Sequence, residues 1–298
     1  MRLCFITVRR VPDTPSPLLL DVSRLLERAG HDVRHERAED MVFTVTSRVA
    51  TGPWCDGLAS GPADLYLLKS HTELALSIAG ALHDRGARLL NPYPACAAAQ
   101  DKVRATAALH RAGVPVPATQ VVAGHAAAAA LFRGTPLVVK PVRGHRGAGV
   151  SIVSRERDLD GWQALADTDG GLLVQDLVDG PGEDLKVYVV GRDVWAVRKP
   201  FGPDSFTRPG RPVAVDPEVG RIVERVSRTT GLSIYGLDII EGPNGPVVVD
   251  LNYFPGYKGC VGVAEPMARH IHEFAVRRDD AAGESAPAHV ADLLAGVP

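Results

Sequence analysis

The order of apolar and polar positions along the chain predicts alternating strands and helices that give way to consecutive strands. MRLCFITV is a short apolar run fit for a buried strand, and SPLLLDVSRLLERAGHDV repeats apolar residues at helical spacing until Gly30 ends it. ADLYLLK predicts a second strand, TELALSIAGALHDRG a helix and ARLLNP a third strand, together a small open α/β lobe over residues 1–95. ACAAAQDKVRATAALHRAG reads as one helix, followed by the rigid connector VPVPAT. Strands around TQVVA and TPLVVKP, with a short helix in GHAAAAALFRG between them, fill out a central lobe over residues 96–170. A third lobe, 171–275, starts with strands LLVQDLV, DLKVYVVG and DVWAVRKP, then the helix VGRIVERVSRTTG, then the strands IYGLDII and VVVDLNY joined by the turn formers EGPNGP. Residues 276–298 read as a loosely held tail. The expected fold class is α/β: an N-terminal open α/β lobe and two α+β lobes with a cleft between them.

The last strand carries the first chemistry. In VVVDLNYFPGYKG, Asp250 and Asn252 stand two apart, so a strand of period two puts both on one face. A hard cation such as Mg²⁺ takes oxygen ligands, commonly one or two carboxylates plus phosphate oxygens, and Asp238 in the preceding strand is the natural second acid. A second signal is VVKPVRGHRGAGVSIV. A strand delivers Lys140, and Gly144, Gly147 and Gly149 then form a turn whose bare backbone N–H groups can approach a polyphosphate, with Arg143 and Arg146 inside it. The segment lacks the G-x-x-x-x-G-K-[ST] spacing of a Walker loop, and no helix follows it as in a dinucleotide-binding turn.

Composition narrows the partners. With 33 Lys and Arg against 35 Asp and Glu, the net charge of −2 gives no global attraction to nucleic acid or a membrane surface, so a basic site must be local. No apolar run is long enough to span a bilayer and the N-terminal run is too short for a secretory signal, so a cytoplasmic protein is expected. Cys4, Cys55, Cys96 and Cys260 lack the spacing of a zinc site or a disulfide framework. No G-x-S-x-G nucleophile elbow occurs, and His270 and His272, about 200° apart on a helix, read as surface positions. Only six of the basic residues are lysine: Lys69, Lys102, Lys140, Lys186, Lys199 and Lys258. In a chain that otherwise uses arginine, they mark places suited to a compact ammonium, as phosphates often require.

With these residues quoted, the chain resembles the ATP-grasp enzymes from about Ala95 to Val263, in the order AAAQDKVRATAALHRAGVPVPAT, LVVKPVRGHRGAGVSIV, LLVQDLVDGPGEDLKVYVVG and YGLDIIEGPNGPVVVDLNYFPG. The resemblance implies two lobes clasping ATP, with Lys102 and Lys140 on its phosphates. It implies a hinge of Gln175, Asp176, Leu177 and Val178 at adenine, Glu183 or Asp184 near the ribose, and Mg²⁺ on Asp238, Asp250 and Asn252. Two branches fit. The chain is similar to the inositol trisphosphate kinases in Lys186 of DLKVYVVG, in Asp250, in LLKSHTE around Lys69, in His145 five after Lys140, and in Arg198. That branch implies phosphoryl transfer to a small anionic polyol, with Lys186 and Arg198 catalytic and Arg9, Lys69, His145, Lys199 and Lys258 on the substrate side. The G-x-x-G-x-G-V after Lys140 is closer to the RimK-type carboxylate–amine ligases, the alternative, which act through an acyl phosphate, and Asn91-Pro92 departs from the Asp-Pro that the kinases tend to have. Kinase activity is the preferred expectation, a nucleotide-binding module without turnover the least favoured, and the oligomeric state stays open.

Overall fold

The computed structural model describes residues 1–9, 16–45, 58, 60–144, 149–155, 158, 171–201 and 209–277. The first sheet is parallel, in the order β2-β1-β3-β4, built from β1 (Arg2–Thr7), β2 (Asp32–Arg37), β3 (Leu65–Leu68) and β4 (Leu89–Leu90). Helices α1 (Pro17–Arg28) and α2 (Glu73–Asp84) accompany it. The apolar runs of β1 and β3 are buried in the sheet centre. β2, DVRHER, has no apolar run to announce it; it is a polar edge strand whose pairing with β1 is backbone hydrogen bonding.

The expected single helix over residues 95–113 is two helices, α3 (Tyr93–Gln100) and α4 (Lys102–Arg111). Asp101 between them is extended, and its carboxylate accepts the N–H groups of Val103 at 3.0 Å and Arg104 at 3.1 Å. That cap restarts the chain as a new helix with Lys102 in its first turn.

The second sheet is antiparallel, in the order β5-β8-β6-β7: β5 (Thr119–Val122), β6 (Leu137–Pro141), β7 (Ser151–Val153) and β8 (Leu172–Asp176), with α5 (His125–Ala129) in the β5–β6 connection. Since β8 pairs with β5 and β6, the second sheet ends at Asp176 and the third begins at Glu183, later than the expected lobe boundary at residue 171. The third sheet runs β11-β10-β9-β12-β13, all antiparallel: β9 (Glu183–Val190), β10 (Asp193–Pro200), β11 (Arg211–Val213), β12 (Ile234–Gly242) and β13 (Gly245–Tyr253). Helices α6 (Pro217–Thr230) and α7 (Ala264–Val276) flank it.

The first and third sheets share one apolar core, while the second has a small separate one of Ala128, Leu137, Val139, Val153, Leu172 and Val174. Buried polar joints lock the first and third sheets together. The Asn91 amide donates to the Ile234 carbonyl at 2.7 Å, and its oxygen accepts the N–H groups of Ser233 and Ile234, each at 2.9 Å. Asn91 is fully buried, and a carboxylate there would remove one of the two donors to the Ile234 carbonyl. Arg88 donates to the carbonyls of Phe274, Ala275 and Arg277 at the end of α7. The two histidines expected at the surface of α7 are joints as well: His270 bonds the Ser233 hydroxyl at 2.8 Å and His272 bonds buried His31 at 2.9 Å.

Burial lowers the pKa of His31, His35 and His270, so the fold prefers their neutral rings. Their contribution is complete above the unfolded value of 6.5 and is lost as pH falls through the lower folded values. Guanidinium unfolding at pH 7.5 and 5.5 is expected to show lower stability at the acid pH, with a shallower dependence for His31→Phe. An identical dependence in that variant would remove His31 from the account.

Candidate functional site

The hairpin β12–β13 sets Asp238 directly opposite Asp250, and β9 on the other side sets Lys186 opposite Asp238. Residues paired in antiparallel strands share a face, so Lys186, Asp238 and Asp250 form a row across three strands, with Asn252 two further along β13. Asp184 lies two before Lys186 on the same face. The Lys186 ammonium contacts Asp184 Oδ2 and Asp238 Oδ2, each at 2.8 Å. Burial works against the charged ammonium, but the pull of Asp238 and Asp184 and their hydrogen bonds outweigh it and move its pKa up. Burial raises the Asp238 carboxyl; Lys186 pulls it back, and Asp250 across the pair pushes it up again.

Two further lysines approach the row from the central lobe. Lys140, at the end of β6, is buried and donates to the Val249 carbonyl of β13 at 2.8 Å. Burial lowers its pKa, with Asp250 acting upward and Lys102 downward. Lys102, placed by the Asp101 cap, donates to the Gly144 carbonyl at 2.8 Å, at the root of the glycine-rich turn. A small cavity lined by Lys102, Lys140, Val249 and Asp250 joins them.

Beyond Asn252 the chain makes a turn in which Phe254 and Tyr257 have positive φ, 42° and 52°. Side chains disfavour this conformation, so the surroundings must hold it. Phe254 N–H bonds the Ile234 carbonyl at 2.8 Å and Tyr253 bonds the Ser70 carbonyl at 2.7 Å. Lys69, expected on the substrate, donates to the Phe254 carbonyl at 2.6 Å with its ammonium 5.2 Å from the Phe254 ring centre. It ties the turn to the C-terminal edge of the first sheet. Arg9, at that same edge, bonds Asp40 at 2.7 Å.

Arg198 does not join the row. It pairs with Leu185, not Lys186, in the β9–β10 register, so its side chain lies on the opposite face. There its Nη2 meets the two Glu241 oxygens at 2.9 and 2.7 Å. Its neighbour Lys199, paired with Asp184, is the β10 cation on the face of the acids.

At the expected adenine hinge, the N–H groups of Asp176 and Leu177 are donated to the carbonyls of Ala118 and Pro136, each at 3.1 Å, and Gln175 is buried against the Thr119 hydroxyl at 2.9 Å. Val178 follows in the link to β9. Glu183 faces Arg211 at 3.8 Å, whereas Asp184 is turned onto Lys186. Gly149 has φ +74°, the left-handed conformation a glycine-rich turn uses. His145, Arg146 and Gly147 lie outside the described residues, as do Cys55, Trp54, Trp162 and the tail from 278. Sequence reasoning overlooked the partnership of Lys186 with Asp184, although D-x-K at strand spacing was its visible sign.

Asp238, Asp250 and Asn252 offer only hard oxygen ligands, and the Asn252 amide nitrogen points to Asp250 Oδ2 at 3.2 Å, which turns its oxygen the other way. Two crowded carboxylates and an amide would suit Mg²⁺, a hard cation that takes oxygen ligands. Among the described residues no cluster of three or more His, Cys, Asp or Glu that could hold a metal occurs, and none is needed for that ion.

A family model described as a RimK-like ATP-grasp domain matches residues 99–271, the segment that carries every member of the row and both central-lobe lysines. The chain belongs to the RimK-like ATP-grasp family. Its relatives include the ribosomal protein bS6–L-glutamate ligase of Shigella boydii, 29% identical over 210 residues, 64% of this chain and 69% of that protein. A probable alpha-L-glutamate ligase of Legionella pneumophila is 30% identical over 186 residues, covering 58% and 62%. A probable alpha-L-glutamate ligase 2 of Shewanella amazonensis is 27% identical over 199 residues, 61% of this chain and 66% of its own length, so the match spans about two thirds of such relatives. In three dimensions the RimK-like chain shares its fold with a RimK domain ATP-grasp protein from Sphaerobacter thermophilus, at a TM-score of 0.73 and 19% identity over 93% of this chain and all of that one. The D-cycloserine synthetase DcsG gives 0.68 at 18% identity over 92% and 100%.

The expected polyol kinase does not stand against these relatives, which are named as glutamate ligases. The structure gives a physical reason: of the cations assigned to a phosphorylated polyol, Lys69 holds a backbone turn, Lys186 holds two aspartates and Arg198 lies on the other face. Among the described residues no helix is long and apolar enough to cross a membrane.

Lys186→Met leaves Asp184 and Asp238 crowded without their cation, and breaking such a buried pair costs about 3–5 kcal/mol. Urea unfolding is expected to report a loss of that size, partly recovered when Asp238→Asn is added. Unchanged stability in the single variant would show that the row does not depend on the ammonium.

Proposed function

We propose that this RimK-like chain is an ATP- and Mg²⁺-dependent carboxylate–amine ligase working through an acyl phosphate, with L-glutamate as one partner and an acidic peptide or protein end as the other. The reading rests on one conjunction: the matched segment 99–271 contains Lys102, Lys140, Lys186, Asp238, Asp250 and Asn252, and the relatives matched by sequence are named glutamate ligases.

Asp238, Asp250 and Asn252 would hold Mg²⁺, which neutralises polyphosphate charge and polarises the terminal phosphoryl group. Lys140 and Lys102 donate charge-assisted hydrogen bonds to phosphate oxygens in place of their present carbonyl partners. Lys186 holds the Asp184 and Asp238 carboxylates in place, each at 2.8 Å. A substrate carboxylate oxygen attacks the γ-phosphorus as the bond to ADP breaks; an amine nitrogen then attacks the acyl carbon, gives up a proton, and inorganic phosphate leaves.

Incubation with MgATP, L-glutamate and short peptides ending in acidic residues tests the reading by ³¹P signals and product mass. Inorganic phosphate and a mass gain of one glutamate residue are expected only when carboxylate and amine are both present. A stable phosphate ester, or phosphate release indifferent to the amine, would overturn it. Lys140→Ala is expected to weaken ATP binding in calorimetry by roughly ten- to a hundredfold, the range for a lost charged hydrogen bond, and Asp250→Asn to abolish turnover without unfolding the protein.

A further inference from the structure

A second cleft, of about 220 Å³, opens between α2, α3 and the root of the glycine-rich turn. Two helix faces form its walls. Glu73, Leu76 and Ser77 of α2, with Gly80 one turn further, follow the spacing i, i+3, i+4, i+7 and share one stripe. Tyr93, Ala97 and Gln100 of α3 share another, at i, i+4, i+7. Gly80 lets the helices close at one end: a Cβ there would stand 2.9 Å from the Tyr93 ring and hydroxyl. At the other end the chain breaks at Asp101, α4 brings in Arg104, and Arg143 arrives from the end of β6. Lys102 and Arg104 stand about 200° apart around α4. The first therefore joins the cavity of Lys140 and Asp250, and the second joins this cleft.

Two acids and two arginines line this space without neutralising one another. The Arg143–Glu73 contact spans it at 3.5 Å with side chains 60% and 58% exposed, a geometry that contributes little and leaves both partners open to competition. The Arg104 guanidinium has no ion pair or hydrogen bond among the described residues, although Glu73 and Asp101 line the same cleft. Asp101 Oδ1 is occupied by the N–H groups of Val103 and Arg104, which leaves Oδ2. The Ser77 and Tyr93 hydroxyls also have no hydrogen-bond partner among the described residues, whereas Gln100 is held by donating to the His71 carbonyl at 2.7 Å. Opposite charges kept apart across a cleft are complementary to a ligand that carries both signs. We propose that the cleft binds a zwitterionic α-amino acid with an apolar side chain. Its carboxylate meets the planar fork of Arg104, its ammonium meets Glu73 and Asp101, and its side chain lies against Leu76, Ala97 and the Tyr93 ring. The volume agrees with so small a ligand, since drug-sized molecules take clefts of about 300–1,000 Å³. Because Arg143 precedes Gly144, whose carbonyl Lys102 holds, an occupant also joins α2 and α4 to the root of the glycine-rich turn. The inference does not rest on the ligase reading, since it uses neither the acid row nor the phosphate lysines.

L-Leucine serves as the probe, titrated by calorimetry without nucleotide, beside L-leucinamide, which lacks the carboxylate, and N-acetyl-L-leucine, which lacks the ammonium; MgADP is titrated in parallel. Wild type is expected to bind L-leucine and to bind each derivative roughly tenfold or more weakly, as for loss of one charged hydrogen bond. Arg104→Met is expected to weaken L-leucine by a similar factor, with Arg104→Lys restoring part, and Glu73→Gln to weaken it as well. MgADP affinity is expected to stay within about twofold of wild type in all three variants. Arg104 and Glu73 are both exposed, so the variants should fold, and circular dichroism checks it. No binding of L-leucine to wild type, equal binding of L-leucine and its two derivatives, or unchanged L-leucine affinity in Arg104→Met and Glu73→Gln overturns the proposal. An equal loss of MgADP affinity in Arg104→Met overturns it too, and would reassign Arg104 to the nucleotide. Amide formation would still stand or fall on the phosphate-release experiment.

Discussion

A single ammonium between two carboxylates organises the third sheet. Lys186 on the central strand β9 holds Asp184 along its own strand and Asp238 across the sheet, and Asp238 stands directly opposite Asp250. Without that cation, three acids on one face would repel one another and the most buried would protonate. With it, the face presents charged carboxylate oxygens, while the opposite face carries apolar residues of the main core together with the Arg198–Glu241 pair. The arrangement is costly to assemble, and the desolvation of these charges is met within the fold by the contacts of Lys186 with Asp184 and Asp238.

The remaining architecture brings other groups to that face at controlled distance. The first and third sheets share a core and are joined by Asn91, Arg88 and the histidine contacts, so they form one support. The central sheet has its own small core and reaches the site through polar contacts such as Lys140 to the Val249 carbonyl. The aromatic turn after Asn252 joins the two functions: Lys69 fixes it to the first sheet, and Tyr257 fixes it to the acid-bearing face. Its two residues of positive φ are tolerated because each is buried and hydrogen-bonded on several sides.

Much was legible from local pattern. D-x-N at the end of an apolar run and an acid in the preceding strand place oxygen ligands on one face by period two alone, and the structure has Asp238 opposite Asp250. The ATP-grasp resemblance rested on ordered motifs and holds. The choice between branches rested on single positions, and those were poor guides. Lys69 is spent on a turn that no spacing reveals, and Lys186 on two aspartates of which D-x-K spacing signals only Asp184. The polar edge strand β2 was invisible because its stability is backbone pairing, and the break at Asp101 was hidden in an alanine-rich run that reads as one helix.

The sequence by itself determined most of the strand and helix order, apart from β2 and the break at Asp101, and the hairpin that carries the acids, because these are properties of neighbours along the chain. Only the tertiary structure decided what each cation does. Arg198 and Lys199 are adjacent in sequence, yet the pleat sends one to Glu241 and the other to the face of Asp184. Which of them faces the chemistry depends on the register of β10 against β9, and that register is set by contacts between residues far apart in the chain.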